Sequence, residues 1–193
     1  MRRKIIFTFI ALSLALSSLG QTDDSKSALL LIDIQDFYFP GGDMPLYEPE
    51  KAAGKAAMLL EKFRSDKKNV IYIKHNYEPG HGIHKSVKPR DGEKIFIKND
   101  VNSFIDTGLN GYLQEHHINH LIICGMQTHM CVEAAIRAAA DMGYQCTLIY
   151  DACTTRDLKF KDHIITAVDV HLSTLSTLGS YAKIMSAEEY LMR

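Results

Sequence analysis

A surplus of either charge is the first thing this sequence lacks. Lysine and arginine total 22 against 23 aspartates and glutamates in 193 residues, a formal net charge of −1. A chain so balanced has no electrostatic footprint for nucleic acid, whose binding rests on neutralised phosphates. Beyond Arg2, Arg3 and Lys4 there is no basic run suited to a membrane surface. Internal repeats and low-complexity tracts are missing too, and no linker follows residue 27, so the remainder reads as one domain. Cysteine is scarce: Cys124, Cys131, Cys146 and Cys153 are all there is. An even count leaves two disulfides open in an exported chain. Yet a domain of this size needs no staples, and Cys124 and Cys146 lie in apolar runs where a thiol packs as a small hydrophobe. Free thiols are expected at most of these positions.

What is there begins with an export signal. Three basic residues precede an apolar stretch over residues 5–19, and Ser18-Leu19-Gly20 supplies small residues before Gln21. The apolar run falls short of the ~20 residues that span a bilayer. The order of these parts predicts a cleaved signal peptide over residues 1–20 and an exported protein, periplasmic or secreted. An uncleaved anchor is the alternative. Residues 21–27 read as a polar tether, and residues 28–193 as the folded domain. Its 46% hydrophobic and 23% charged residues are those of an ordinary globular protein.

Within the domain, strand-like and helix-like segments alternate. Residues 28–34 (ALLLIDI) form a continuous apolar run of the kind buried on both faces of a sheet. Further strands are predicted at 70–74, 94–97, 120–124, 145–150 and 182–185, and helices at 50–66, 109–117, 128–142 and 160–177. The helix over 128–142 is the most regular: Val132, Ile136, Ala139 and Ala140 share a face, and Gly143 can close its C-terminus. Strands separated by helices predict an α/β fold of three layers, α/β/α, around a mostly parallel, six-stranded, Rossmann-like sheet. In such sheets ligands bind beyond the C-terminal ends of the strands.

That rule draws attention to three residues. Cys131 follows the strand HLIIC and falls in the first turn of the 128–142 helix. Unpaired N–H groups and the positive end of the dipole there favour a thiolate and lower the cysteine pKa. The same N–H groups suit an oxyanion. A buried, inert thiol is the commoner meaning of a cysteine in such a place. Asp33 ends an otherwise apolar strand, where a carboxylate is expensive unless paired or functional; capping a loop is the alternative. Lys98 ends another strand and could simply extend to solvent. Far apart in sequence, the three meet at one predicted sheet edge, and an acid, a cation and a thiol together form an acyl-transfer constellation.

The chain resembles the isochorismatase-like cysteine hydrolase superfamily, which includes nicotinamidases and carbamoyl-amide hydrolases. The resemblance lies in LLLIDIQDFYFPGG (residues 29–42), IKNDVNSFIDTGLNGYL (97–113) and ICGMQTHMCVEAAIRAAADMGYQCTLIYDAC (123–153), in the family's order and spacing. It implies the isochorismatase-like hydrolase fold, with Asp33 as general base, Lys98 as the family's lysine and Cys131 as nucleophile. It also implies a non-proline cis peptide between Met126 and Gln127, which makes the backbone N–H groups of Gln127 and Cys131 an oxyanion hole. The implied activity is hydrolysis of a C–N bond (amide, ureide or carbamoyl) of a small molecule through a thioester. No cofactor is implied, and relatives commonly form homo-oligomers.

The chain departs from nicotinamidases in lacking their Asp-x-His metal pair. Residues 74–86 (KHNYEPGHGIHKS) instead hold His75, His81 and His84, with Glu78 nearby. The spacing fits no metal motif, so the segment reads as a substrate-rim loop with no metal, and His75 as its pocket-facing member. Phe37, Tyr38, Phe104 and His129 are further pocket candidates, with core packing as the alternative for Phe37 and Phe104. Three other functions stay open: vinyl-ether cleavage of the isochorismate type, which does not depend on the cysteine; a non-catalytic binding protein; and redox pairing of Cys131.

Overall fold

The structure, a computed structural model, describes residues 26–77 and 82–193. The expected signal peptide over residues 1–20, residues 21–25 of the expected tether, Glu78 and His81 lie outside the described residues. In chain order the elements are β1 (Ser27–Ile32), α1 (Pro49–Ser65), β2 (Asn69–His75), β3 (Lys94–Lys98), α2 (Leu109–Glu115), β4 (His120–Met126), α3 (Glu133–Asp141), β5 (Gln145–Thr154), β6 (Leu158–Phe160), β7 (His163–Ile165), α4 (Ala167–Leu178), β8 (Lys183–Met185) and α5 (Ala187–Leu191). No helix among the described residues is long and apolar enough to cross a membrane.

β1 and β4 are buried at every position, as strands covered on both faces must be. They lie at the centre of a six-stranded sheet ordered β3-β2-β1-β4-β5-β8, in which every pairing is parallel. The chain steps outward from β1 through β2 to β3, then returns to lay β4 on the other side of β1. Right-handed crossovers place the helices of the two directions on opposite faces. α1 accordingly packs with α5, and α3 with α4. The reversal of direction between β1 and β4 opens a crevice at their C-terminal ends, where ligands of open α/β sheets bind.

The two central strands pass unusually close at that point. Gly125 pairs with Ile32, and a Cβ on Gly125 would stand 2.0 Å from the Ile32 carbonyl oxygen. Gly125 also has φ +129°, a backbone conformation only glycine adopts without strain. Between Ile123 and Gly125 the pairing with β5 shifts register, so the end of β4 leaves the regular ladder as it enters the crevice.

The sequence-based elements hold within a few residues, with four differences. The helix expected over 128–142 is divided: residues Thr128–Val132 form a π turn, and α3 starts at Glu133. The Val132 N–H donates to the Gln127 carbonyl at 3.2 Å, five residues back. Gly143 follows α3 with φ +88°, and the N–H groups of Gly143 and Tyr144 close the last turn on Ala140 and Ala139. The helix expected over 160–177 starts only at Ala167, because Thr166 caps it by accepting from the Asp169 N–H. Residues ahead of that cap form the antiparallel β6–β7 hairpin. β5 continues to Thr154 instead of ending at 150, and α5 is an addition to the expected elements; Ser186 and Glu189 cap it reciprocally. All four cysteines are buried free thiols, so Cys131 is in no disulfide.

Candidate active site

Each of the three chemistry-bearing residues reaches the crevice through a local backbone feature. Asp33 is the first residue past β1 and takes a left-handed conformation, φ +48°. Its N–H donates to the Ile73 carbonyl of β2 at 2.9 Å, which fixes the turn. Gln35 extends the same seam, its side chain accepting from the His75 N–H and donating to the His75 carbonyl. Lys98 is the last residue of β3 and pairs in register with His75, the last of β2. Cys131 sits in the π turn after β4, and the Met126–Gln127 peptide before that turn is cis.

The structure brings the three together. Lys98 Nζ lies 2.9 Å from Asp33 Oδ2 and donates to Cys131 Sγ at 3.2 Å. Exposure is 0% for Asp33, 1% for Lys98 and 5% for Cys131, so bulk water screens none of these interactions. The same ammonium contacts His75 Nδ1 at 3.1 Å and donates to the Asp100 carbonyl at 3.0 Å. Three ammonium protons therefore face four acceptors, and one contact must be shared or exchanged. Neither oxygen of Asp33 has a well-aligned hydrogen bond among the described residues. Lys98 holds this carboxylate by charge at short range, which leaves it lone pairs for a proton.

Electrostatics overturn one expectation. Burial pushes the Cys131 thiol up to about 12; the Asp33 charge adds to the rise and Lys98 opposes it. The loss of solvation outweighs the pull of Lys98, which favours the thiol over the thiolate in the resting site. Asp33 is raised as well, by burial, against the pull of Lys98. A raised carboxyl beside a raised thiol suits passing a proton between them rather than displaying a free thiolate.

The other expected site residues are placed as follows. His75 contacts Lys98, and its pKa is lowered by burial and by the Lys98 charge, so the ring is a neutral acceptor through Nδ1. Gln127 is buried; its side chain donates to the Tyr38 hydroxyl at 3.3 Å and faces Met44 Sδ at 3.5 Å. Phe37 is buried with its ring 4.1 Å from that of Tyr38. Phe104 is half-buried and stacks 6.3 Å from Tyr144. His129 is half-buried and bonds through Nδ1 to the Thr155 hydroxyl. His84 bonds Ser86 and stacks on Phe39 at 3.6 Å, so it is occupied structurally. No metal-ligating group of three or more side chains occurs among the described residues.

Sequence reasoning missed the far side of the nucleophile turn. Thr128 bonds His171 of α4 at 2.9 Å, and Thr155 and Arg156 follow directly on β5. With β5 expected to stop at 150, these residues read as loop. The strand-end rule would have found them had the strand been read to Thr154. A groove of about 580 Å³ lies on that side, lined by Tyr47, Tyr150, Thr155, Val168, His171 and Leu172, and it contains none of Asp33, Lys98 or Cys131.

Comparison with known proteins agrees with this geometry. The family model described as the isochorismatase domain matches residues 27–180. The uncharacterised isochorismatase family protein YddQ of Bacillus subtilis (strain 168) is 42% identical over 177 residues, covering 86% of this chain and 98% of that one. Streptothricin hydrolase of Streptomyces noursei is 27% identical over 156 residues, 76% of this chain and 56% of that protein. Among solved structures, a putative isochorismatase hydrolase from Oleispira antarctica superposes with a TM-score of 0.85 at 39% identity, covering 90% of this chain and 100% of that one. With the domain matched over most of its length and the fold shared throughout, the chain belongs to the isochorismatase family of hydrolases.

Proposed function

We propose that the protein is a cysteine hydrolase that cleaves a C–N bond (amide, ureide or carbamoyl) of a small molecule through a thioester on Cys131. One observation carries this reading: a single buried ammonium, Lys98 Nζ, lies within contact of both Asp33 Oδ2 and Cys131 Sγ. The family's hydrolysis of amide-like bonds supports it.

The steps balance within the site. Sγ attacks the carbonyl carbon as its proton passes to the Asp33 carboxylate, and the carbonyl π pair moves onto oxygen. Lys98 stabilises the charge on sulfur as the proton leaves, which is when the electrostatic gain is largest in a dry pocket. The backbone N–H groups of Gln127 and Cys131 receive the oxyanion. On collapse the C–N bond breaks, Asp33 returns the proton to nitrogen, and ammonia or an amine departs. Asp33 then takes a proton from water, hydroxide adds to the thioester, the C–S bond breaks and the proton returns to sulfur. One water is consumed for each C–N bond cleaved.

A screen of amides, ureides and N-carbamoyl compounds against the purified protein tests this. Turnover is expected to vanish in Cys131→Ala, and rapid quenching of the wild type should show an acyl adduct on the peptide carrying Cys131. The raised carboxyl of Asp33 favours a second reading, protonation of a vinyl ether without any use of sulfur. Cleavage of an isochorismate-type vinyl ether that Cys131→Ala retains, with no turnover of any amide, ureide or N-carbamoyl compound, would assign the chemistry to that alternative.

A further inference from the structure

Every arginine has to be neutralised or solvated somewhere, because its guanidinium keeps its charge at any physiological pH. Arg64 binds Glu93 and Glu61, Arg90 binds Glu61, and Arg137 binds Glu133. Arg156 does neither completely. It is half-buried, its Nε is fully buried without a hydrogen-bond partner, and no carboxylate among the described residues pairs with it. The carboxylates of the region are committed elsewhere. Asp157, its neighbour in sequence, accepts from the Ala167 N–H at the start of α4. Asp151 accepts from the Ala187 N–H, Glu133 holds Arg137, and Asp33 holds Lys98.

The place of Arg156 in the chain ties it to the site. Arg156 follows Thr155, whose hydroxyl bonds His129 of the nucleophile turn. It does not line the groove on the α4 side, although Thr154 and Thr155 before it do. Its charge is felt instead by Tyr38 and His129. Tyr38 is buried against Gln127, and its hydroxyl is also within electrostatic range of Asp33 and Cys131. A second buried polar atom is orphaned in the residue that contacts Tyr38: Gln127 Oε1, whose amide nitrogen is used on Tyr38 and Met44. An unpaired buried donor and an unpaired buried acceptor each cost stability unless a ligand satisfies them.

We propose that Arg156 is a specificity-determining residue that binds an anionic group, a carboxylate, on the substrate, while Gln127 Oε1 accepts an N–H from the same molecule. This rests on the cysteine-hydrolase reading for the reaction but not for the binding. The preferred substrates are then amide or carbamoyl compounds that carry a carboxylate at the end remote from the scissile bond. Their hydrolysis leaves that carboxylate in place and releases ammonia or an amine.

The test uses succinamate, glutaramate and N-carbamoylglycine as anionic probes, with butyramide as the neutral control. Binding is read by calorimetry on Cys131→Ala, so that no turnover is needed. At least one anionic probe is expected to bind more tightly than butyramide by about tenfold to hundredfold, the usual weight of a charge-assisted pair. Arg156→Met should erase that ratio while leaving butyramide binding unchanged, and Arg156→Lys should restore part of it. A merely structural arginine would weaken both classes of ligand alike. No anionic preference in the parent protein, or a preference that survives Arg156→Met, overturns the proposal. Arg156-dependent binding without hydrolysis of any amide by the wild type would sink the hydrolase reading and leave this one standing. Efficient hydrolysis of amides by the wild type with no preference for the anionic probes, or with a preference that Arg156→Met leaves intact, would do the reverse.

Discussion

His75 Nδ1 lies 3.1 Å from Lys98 Nζ, so the histidine accepts from the ammonium at the centre of the site. Both residues end adjacent strands and are fixed in register, His75 opposite Lys98. The imidazole therefore positions the cation that joins Asp33 to Cys131, and it does so only while it is neutral.

Acidification should break that arrangement. Burial and the Lys98 charge hold the His75 pKa below its usual 6.5, so the ring is neutral at pH 7 and gains a proton only on the acid side. Two cations in contact would then drive Lys98 away from its partners. Asp33 protonates on the same side, from a pKa raised above its ordinary value. The acid limb of kcat/KM for the wild type is expected to carry two protons, with a logarithmic slope approaching 2. In His75→Gln, which keeps an acceptor but cannot titrate, the slope should fall to 1. An unchanged limb in His75→Gln would remove His75 from the charge arrangement.

The reach of sequence reasoning divides along one physical line. Asp33 and Lys98 were legible because each is a polar residue at the end of an apolar strand, and Cys131 because its turn follows the apolar strand β4; strand ends converge in a parallel sheet. The burial of β1 and β4 was legible for the same reason, from unbroken apolar runs. What escaped depended on pairing across the fold. The π turn at Thr128–Val132 has the apolar spacing of the helix that follows it, and only the bond from Val132 to Gln127 sets it apart. The extension of β5 to Thr154 comes from its ladder with Gly125 and Met126, which no local pattern in residues 151–154 reveals. The thiol pKa was misjudged because a helix start is local and visible, whereas the burial of the thiol itself, set by the packed fold around it, is not.

Alkylation of Cys131 should separate charge from function. With its thiol pushed up to about 12, the thiolate fraction at pH 7 is on the order of 10⁻⁵. Iodoacetamide should react slowly near neutrality, and the rate should climb with pH without levelling off before pH 9. The Asp33 charge is one cause of the raised pKa. Asp33→Asn should therefore speed alkylation by about threefold to tenfold, although it removes the base on which hydrolysis depends. Lys98→Met should slow both. Peptide mapping by mass spectrometry identifies the labelled thiol, and slower labelling in Asp33→Asn would contradict the charge assignment.

Gly125 and Gly54 should respond to alanine with opposite signs. At Gly125 the new methyl would meet the Ile32 carbonyl oxygen at 2.0 Å on a backbone with φ +129°. Forcing β1 and β4 apart should cost more than about 3 kcal/mol, read as a fall in the urea midpoint or as failure to accumulate folded protein. Gly54 is an exposed position inside α1, and a methyl group added there meets nothing within 4 Å. Gly54→Ala should stabilise by about 0.5–1 kcal/mol through helix propensity alone, with activity unchanged.

The buried thiols should set the alkaline limit of stability. Burial pushes Cys131, Cys146 and Cys153 up to about 12, and raises Cys124 well above the ordinary thiol value of 9.0. For a group whose folded pKa is raised, the stabilising contribution is complete below the unfolded value and is lost as pH rises through the folded one. Between about pH 9 and pH 12 the unfolded chain releases protons that the folded chain retains. Each such thiol then tilts the unfolding free energy downward by up to about 1.4 kcal/mol per pH unit. Cys146 makes only a weak contact, to the Tyr144 carbonyl at 3.8 Å, so Cys146→Ala removes one titrating group with little else. Urea unfolding followed from pH 8 to pH 11 should show a shallower alkaline decline in Cys146→Ala than in the wild type. Parallel declines in the two proteins would mean that the thiol at 146 keeps its ordinary pKa in the fold.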